Sequence, residues 1–292
     1  MGLLSRSQNL ISMKSKKTIQ FLWKITAYLL CTAGSIVFLL PFLWMVSTSL
    51  KGDSSVFVFP PQWIPKEFLW SNFKDAWTTL PFTQFLINTC TITLGAIIGA
   101  ALSSTLVAYG FARIPFAGNR FWFVILISTM MLPSQVTMIP TFLIFKWLRW
   151  LDSFKPLIVP AFFGGGAFFV FLLRQFFMSI PTELDEAAYM DGCTKLGIYW
   201  RIILPLSKPA LATVVVFSFI GNWNDFLGPL IYLNSETNYT LAIGLSLFQT
   251  WHSTSYQLLM AASLLVLLPV IIIFFFAQRY FIEGITLTGI KG

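Results

Sequence analysis

Six apolar stretches dominate the hydropathy pattern of this chain, at about residues 25–48, 86–110, 121–145, 157–177, 209–231 and 257–278, with the polar residues gathered between them. A helix needs about 20 apolar residues to cross roughly 30 Å of hydrocarbon, and each stretch reaches that length. The pattern predicts an all-α, polytopic membrane protein with six transmembrane helices and both termini on one side. It divides the chain into an N-terminal tail (1–24), a first transmembrane helix (25–48), an external segment (49–85), a core of five transmembrane helices (86–280) and a C-terminal tail (281–292). In the external segment Pro60-Pro61 precedes Trp70, Phe73 and Trp77, whose helical spacing predicts a short helix lying in the membrane interface.

Proline falls in five of the six spans, as Pro41, Pro133 with Pro140, Pro160, Pro229 and Pro269, and Gly164-Gly165-Gly166 loosens the fourth. Each break frees backbone groups that lipid cannot satisfy, so neighbouring helices or a water-filled cavity must do so. A kinked bundle is expected. On the second span Gly95, Gly99 and Ser103 recur every four residues, a stripe on which another helix can approach closely.

Composition adds to this picture: the chain is 57% hydrophobic and 10% charged, with a mean hydropathy of +0.77, far from a soluble domain. Charge sets the orientation, because basic residues resist translocation. With Arg6, Lys14, Lys16, Lys17 and Lys24 of the N-terminal tail inside, 13 basic residues fall in the cytoplasm and six outside, namely Lys51, Lys66, Lys74, Lys146, Arg149 and Lys155. Both termini are thus expected in the cytoplasm. The net charge of +8 is mostly a signal of topology, and a basic tail abutting a span is not a nucleic-acid-binding arm. The first span is too long for a secretory signal. Cys31, Cys90 and Cys193 lie in two spans and a loop, with no disulfide framework or metal-ligand spacing.

Residues 179–208 cannot cross the membrane, because Glu183, Asp185, Glu186, Asp191, Lys195, Arg201 and Lys208 would all be desolvated there. They are expected in the cytoplasm. Thr182 followed by Asp185 approximates a capping box, acids in the first turn suit the helix dipole, and Gly192 is a helix stop. Leu184, Ala187, Ala188 and Asp191 then share one face, small enough at its middle for a partner's groove. A second short helix, from about 194 to 203, would end before Pro205.

The run Glu186-Ala187-Ala188-Tyr189-Met190-Asp191-Gly192, followed by Ile202, Leu204-Pro205 and Lys208-Pro209, resembles the EAA loop of binding-protein-dependent ABC-transporter permeases. It stands where that family has it, between the fourth and fifth spans. The resemblance extends from about Asn88 to Gly292 and points to the second permease of carbohydrate importers of the maltose type. Ala108-Tyr109-Gly110-Phe111-Ala112-Arg113, Pro133-Ser134-Gln135, Trp223-Asn224-Asp225-Phe226 and the terminal Gly284–Gly292 look like further family motifs, the last departing at Thr288-Gly289. The resemblance implies a type I ABC importer permease of a prokaryotic cytoplasmic (inner) membrane, forming half of a translocation pathway for a sugar, with oligosaccharides the first choice. It implies a second permease subunit in a heterodimer, an ATPase dimer that binds ATP and magnesium, and an extracytoplasmic solute-binding protein. Glu186, Ala187, Ala188, Asp191, Gly192, Leu204 and Pro205 would couple to the ATPase, Glu186 touching it and Gly192 making the turn between coupling helices. The chain has no G-x-x-x-x-G-K-[ST] phosphate loop, so no cofactor and no ATP hydrolysis are expected of it.

Polar residues within the spans are few: Asn88, Ser134, Gln135, Asn222, Asn224 and Asp225 stand out, and Gln135, Asn222, Trp223, Asn224 and Asp225 are candidates for a translocation cavity, where aromatics stack on sugar faces and amides bond hydroxyls. Interhelical hydrogen bonding is the other reading of them. His252, the only histidine, lies in the outer loop 248–256 and reads as solvated, although the resemblance has that loop probe the binding protein. The alternative function is a secondary carrier for a polar solute. It would need a titratable relay, yet Asp225 and Arg174 are nearly the only charges at membrane depth, and Arg174 can snorkel. An enzyme would need converging catalytic groups, whereas the acids concentrate in one loop helix, so neither a catalytic nor a metal site is expected.

Overall fold

The computed structural model describes the backbone of residues 2–249 and 255–289 and the side chains of 20–249 and 255–278. Its helices are α1 (Gly2–Ser49), α2 (Ser71–Thr79), α3 (Phe82–Arg113), α4 (Asn119–Ser128), α5 (Ser134–Trp147), α6 (Lys155–Ile158), α7 (Ala167–Ser179), α8 (Glu183–Met190), α9 (Lys195–Ile198), α10 (Leu204–Leu206), α11 (Lys208–Trp223), α12 (Leu227–Tyr232), α13 (Leu241–Ser246) and α14 (Tyr256–Gly289). The all-α expectation holds, with no strand among the described residues. Gln20–Ser49, Phe82–Arg113, Lys155–Ser179 and Tyr256–Gln278 are each long and apolar enough to cross a membrane, and the number rises to six if two bent helix pairs each count as one span.

Three expected spans are not single straight helices. The third turns through 99° between Asn119–Met131 and Ser134–Trp147. Pro133 is the cause: it lacks an N–H and holds Leu132 extended, at φ −79 and ψ 119. The fourth breaks between α6 and α7, where Gly164, Gly165 and Gly166 all take positive φ. The fifth, expected at 209–231 with a kink at Pro229, stops at Trp223 and resumes at Leu227, so its break precedes the proline. Conversely, α1 begins at Gly2 and α14 runs to Gly289, so the boundaries drawn at 24 and 281 are not helix ends.

The chain forms two compact units, Met1–Phe73 with Tyr256–Leu264, and Lys74–Ser255 with Leu265–Gly292. In the first, the segment after α1 folds back on the helix end. Asn72 Nδ2 donates to the carbonyls of Ser49 and Lys51, both at 2.8 Å, and Trp44 meets Trp63 edge-on at 5.1 Å. The Lys51 ammonium is buried 4.1 Å from the Trp44 ring centre.

In the second unit α3, 32 residues and so about 48 Å long, is the axis on which α7, α11, α13 and residues 155–162 pack. The small-residue stripe does what its spacing predicts. A methyl group on Gly95 would lie 2.9 Å from Ile158, one on Gly99 would lie 2.6 Å from the Phe162 ring, and Ser103 Oγ donates to the Ala161 carbonyl at 2.7 Å. At the start of α3, Asn88 Nδ2 donates to the carbonyls of Thr237 (2.8 Å) and Tyr239 (2.9 Å), and the Leu241 N–H donates to Thr89 Oγ1 at 2.9 Å. Nearby loops are tied by Asp152, whose carboxylate accepts from the N–H groups of Asn234 (3.0 Å) and Ser235 (2.9 Å), the Ser235 hydroxyl and Asn238 Nδ2 (3.1 Å).

Candidate functional site

The polar loop is built against the end of α3. Arg113, in the last turn of that helix, donates from Nη2 to the carbonyls of Phe177 (2.7 Å) and Ile180 (2.5 Å), where α7 ends. Its Nη1 pairs with Asp185 Oδ2 at 3.3 Å, and the two side chains are only 4% and 16% exposed. This pair corrects the capping box expected from sequence. Thr182 makes no side-chain cap, and Asp185 turns to the guanidinium because a charge buried that deeply requires a counter-charge.

α8 ends in a Schellman motif. Gly192, at φ +80, donates its N–H to the Tyr189 carbonyl at 3.0 Å, and Cys193 donates to that of Ala188 at 2.9 Å. The glycine stop is therefore as expected. Thr194 caps the next helix by accepting from the Gly197 N–H at 3.2 Å. The chain then passes through a π-helical turn, Tyr199–Ile203, into α10. The expected end before Pro205 is corrected: proline occupies the first turn of α10, where its missing N–H costs nothing.

Ala188, Ile198, Tyr199 and Ile203 are buried in a core shared with Ala108 and Tyr109 of α3 and with α7 and α11. Tyr109 Oη donates to the Lys195 carbonyl at 2.8 Å, Tyr199 Oη and Thr105 Oγ1 are 2.8 Å apart, and the two phenol rings lie 5.2 Å apart. Burial pushes the Tyr199 phenol pKa up, opposed by its hydrogen bond to Thr105, so this contact is made by a neutral hydroxyl.

The other side of the loop is bare. Met190 is 89% exposed, Leu196 62% and Trp200 53%, and Glu186, Ala187, Asp191 and Gly192 are exposed too. The face expected for Leu184, Ala187, Ala188 and Asp191 holds for three of the four: Leu184, Ala187 and Asp191 are exposed together, and Ala188, at its edge, is buried. Successive helical residues differ by about 100° in direction, so Ala188 points into the core while Ala187 and Glu186 remain outside. Leu204 is half-buried and Pro205 exposed on α10.

The residues proposed for a cavity have other neighbours. Gln135 is exposed in the first turn of α5. Asn222 Nδ2 donates to the Ser218 carbonyl at 2.7 Å within α11, and Asn224, at the end of that helix, donates from Nδ2 to the Ile220 carbonyl at 2.9 Å. Trp223 is buried and donates from Nε1 to the Val266 carbonyl of α14 at 3.1 Å, and Asp225 accepts from the Gly228 N–H at 3.1 Å. An open apolar cavity of about 500 Å³, lined by Phe111, Phe116, Trp122, Ile125, Phe163 and Val170 among others, includes none of the five. Arg174 lies 4.0 Å from the centre of the Phe123 ring. His252 lies outside the described residues, as do the side chains of the C-terminal segment from Gly284.

Sequence reasoning missed the gripping role of Thr105, Tyr109 and Arg113. Their signal was available: three hydrogen-bonding side chains four residues apart on one face of an apolar span.

Residues 92–286 match the family described as the binding-protein-dependent transport system inner membrane component. The arabinooligosaccharides transport system permease protein AraQ of Halalkalibacterium halodurans is 33% identical over 246 residues, covering 84% of this chain and 86% of that protein. The sn-glycerol-3-phosphate transport system permease protein UgpE of Yersinia pestis bv. Antiqua is 34% identical over 272 residues, covering 89% and 95%. In fold the chain resembles a chain in the crystal structure of a bacterial ABC transporter involved in the import of the acidic polysaccharide alginate, with a TM-score of 0.79, 25% identity and coverage of 89% and 96%.

Proposed function

This chain belongs to the family of binding-protein-dependent transport system inner membrane components, and we infer from that membership that it is one permease of an ATP-driven importer of oligosaccharides or related sugar derivatives. The observation that carries the reading is the two-sided loop. One side of α8–α10 is fixed to the helix core, while the other presents Glu186, Ala187, Met190, Leu196 and Trp200 uncovered. A mixed acidic and apolar surface on a rigid base suits a soluble partner that must push on it.

That partner is an ATPase dimer, which holds ATP and magnesium and does the hydrolysis. The charge distribution supports placing this loop and both termini in the cytoplasm. A second, different permease completes the pathway, and an extracytoplasmic solute-binding protein delivers substrate at the opposite face. The sugar class rests on the relatives, which are named for arabinooligosaccharides and glycerol phosphate, and on the alginate importer. Where the spans break, at Pro133, Gly164–Gly166 and Asn224–Phe226, freed backbone groups need protein or water partners, which supports a pathway passing near Gln135, Asn224 and Asp225.

The test is uptake in vesicles reconstituted with the purified assembly, over a panel of sugars. Transport is expected only with ATP and the ATPase present. Glu186→Lys is expected to leave the protein in the membrane and the ATPase active, yet to abolish uptake. Undiminished uptake by that variant would refute the docking assignment.

A further inference from the structure

We propose that α3, which meets the coupling loop through side-chain contacts and not as its neighbour along the chain, is the lever that carries the loop's movement through the membrane, with Thr105, Tyr109 and Arg113 as its positioning residues. This rests on the ATPase-docking reading above. The three residues stand at i, i+4 and i+8, one row spanning about 12 Å of helix. Each grips a different part of the loop: Thr105 the Tyr199 hydroxyl, Tyr109 the Lys195 carbonyl, Arg113 the Asp185 carboxylate and the carbonyls that end α7.

The covalent connections are poorer transmitters. α7 reaches α8 through the extended Ile180 (ψ 131) and Pro181, and the α9–α10 segment meets α11 at a bend of 77°. A push on the loop is absorbed at such joints, whereas contacts from three buried side chains along one rigid helix resist it. α3 is moreover a 32-residue helix without internal proline or break. Its far end holds the segment 237–241 through Asn88 and Thr89. Displacement of the loop by the ATPase therefore reaches the opposite face of the membrane through α3, and there shifts the connection between α12 and α13.

The test separates docking from transmission. Met190→Cys, on the exposed side of α8, is crosslinked to a cysteine on the ATPase, and sugar moved per ATP hydrolysed is measured in vesicles. The double variant Tyr109→Phe/Tyr199→Phe keeps both rings and removes both hydroxyls. Thr91→Val, on α3 but bonded only to the Ile87 carbonyl of its own helix, is the control. Expected are an unchanged crosslink, sugar per ATP lowered about fivefold or more by the loss of two hydrogen bonds, and a parental ratio in the control. Arg113→Lys, which keeps the charge but loses the fork, is expected to fall between. If the double variant fails to assemble, each single phenol removal is expected to lower the ratio about twofold or more. An unchanged crosslink with an unchanged ratio in these variants overturns the lever while docking stands. A crosslink absent from the parental protein removes the docking reading and the lever with it.

Discussion

Gly192 offers a perturbation whose cost is confined to the backbone. It sits at φ +80, and a Cβ built on it meets nothing within 4 Å. A side chain there is not crowded, so the penalty is that of the left-handed conformation, roughly 1–2 kcal/mol for an ordinary L-residue, less for asparagine and more for a β-branched residue. Since 1.4 kcal/mol is a factor of ten, Gly192→Ala is expected to weaken the competent loop geometry about five- to thirtyfold, Gly192→Asn little, and Gly192→Val most. Gly165 is the contrast. It also has positive φ, at +63, but an added Cβ would lie 2.7 Å from the Ala100 carbonyl oxygen and 2.9 Å from its Cα. Gly165→Ala must therefore push α3 and the Gly164–Gly166 break apart and is expected to deplete folded protein from the membrane. The Gly192 series should instead keep its membrane content and lose uptake per ATP in the order Asn, Ala, Val. Membrane content by immunoblot and coupled uptake in vesicles give the two readouts. Parental coupling in Gly192→Val, or equal defects in the asparagine and valine variants, would refute the reasoning.

Two further outcomes follow from charges outside the spans. Hydrogen bonds from Ser235, then Asn234 and Asn238, hold the Asp152 carboxyl well below its ordinary 3.8. A depressed folded pKa gives a contribution complete above the unfolded value and lost only as pH falls through the lower one, so amide exchange at Asn234 and Ser235, corrected for intrinsic rate, should be constant from about pH 8 to about pH 5. It should rise in Asp152→Ala, and a rise in the parental protein above about pH 5 would contradict the assignment. Lys51 is 1% exposed, and its ammonium has no hydrogen-bond acceptor among the described residues. Burial lowers its pKa from 10.5, so desolvation disfavours the ionised form, and the Trp44 face offsets this by about 0.5–2 kcal/mol. Lys51→Met should melt in detergent at the parental temperature or higher, and a fall of several degrees would show that the charge has a stabilising partner.

The apolar lengths and the Gly95, Gly99, Ser103 stripe were legible in sequence because each is a property of one helix, its reach across hydrocarbon or the thinness of one face. The breaks were only half legible. Pro41, Pro140 and Pro269 lie inside continuous helices, whereas Pro133 ends one. Proline always removes a donor, but whether the chain then kinks gently or turns through 99° depends on what packs around the freed carbonyl. Hydropathy is blind to this difference, because the residues on either side of the bend stay apolar while the backbone changes direction.

The polar loop at the end of α3 divides along the same line. Gly192 was readable because a left-handed residue after a helix is a local requirement that few side chains meet. The capping box at Thr182 was not, because Asp185 had a distant competitor: a neutral capping bond at the surface contributes about 1 kcal/mol, whereas leaving the buried Arg113 without its carboxylate would cost about 3–5 kcal/mol. The guanidinium therefore takes the side chain. Tyr109 and Arg113 were visible as a motif and, with Thr105, as a row of hydrogen-bonding groups at helical spacing, yet most of what they bind is backbone, the carbonyls of Phe177, Ile180 and Lys195. A carbonyl is present at every position and leaves no mark in the residue types. The donors of such a clamp can be read from a sequence, and its acceptors emerge only when the turns at Ile180 and Gly192 bring them to the end of α3.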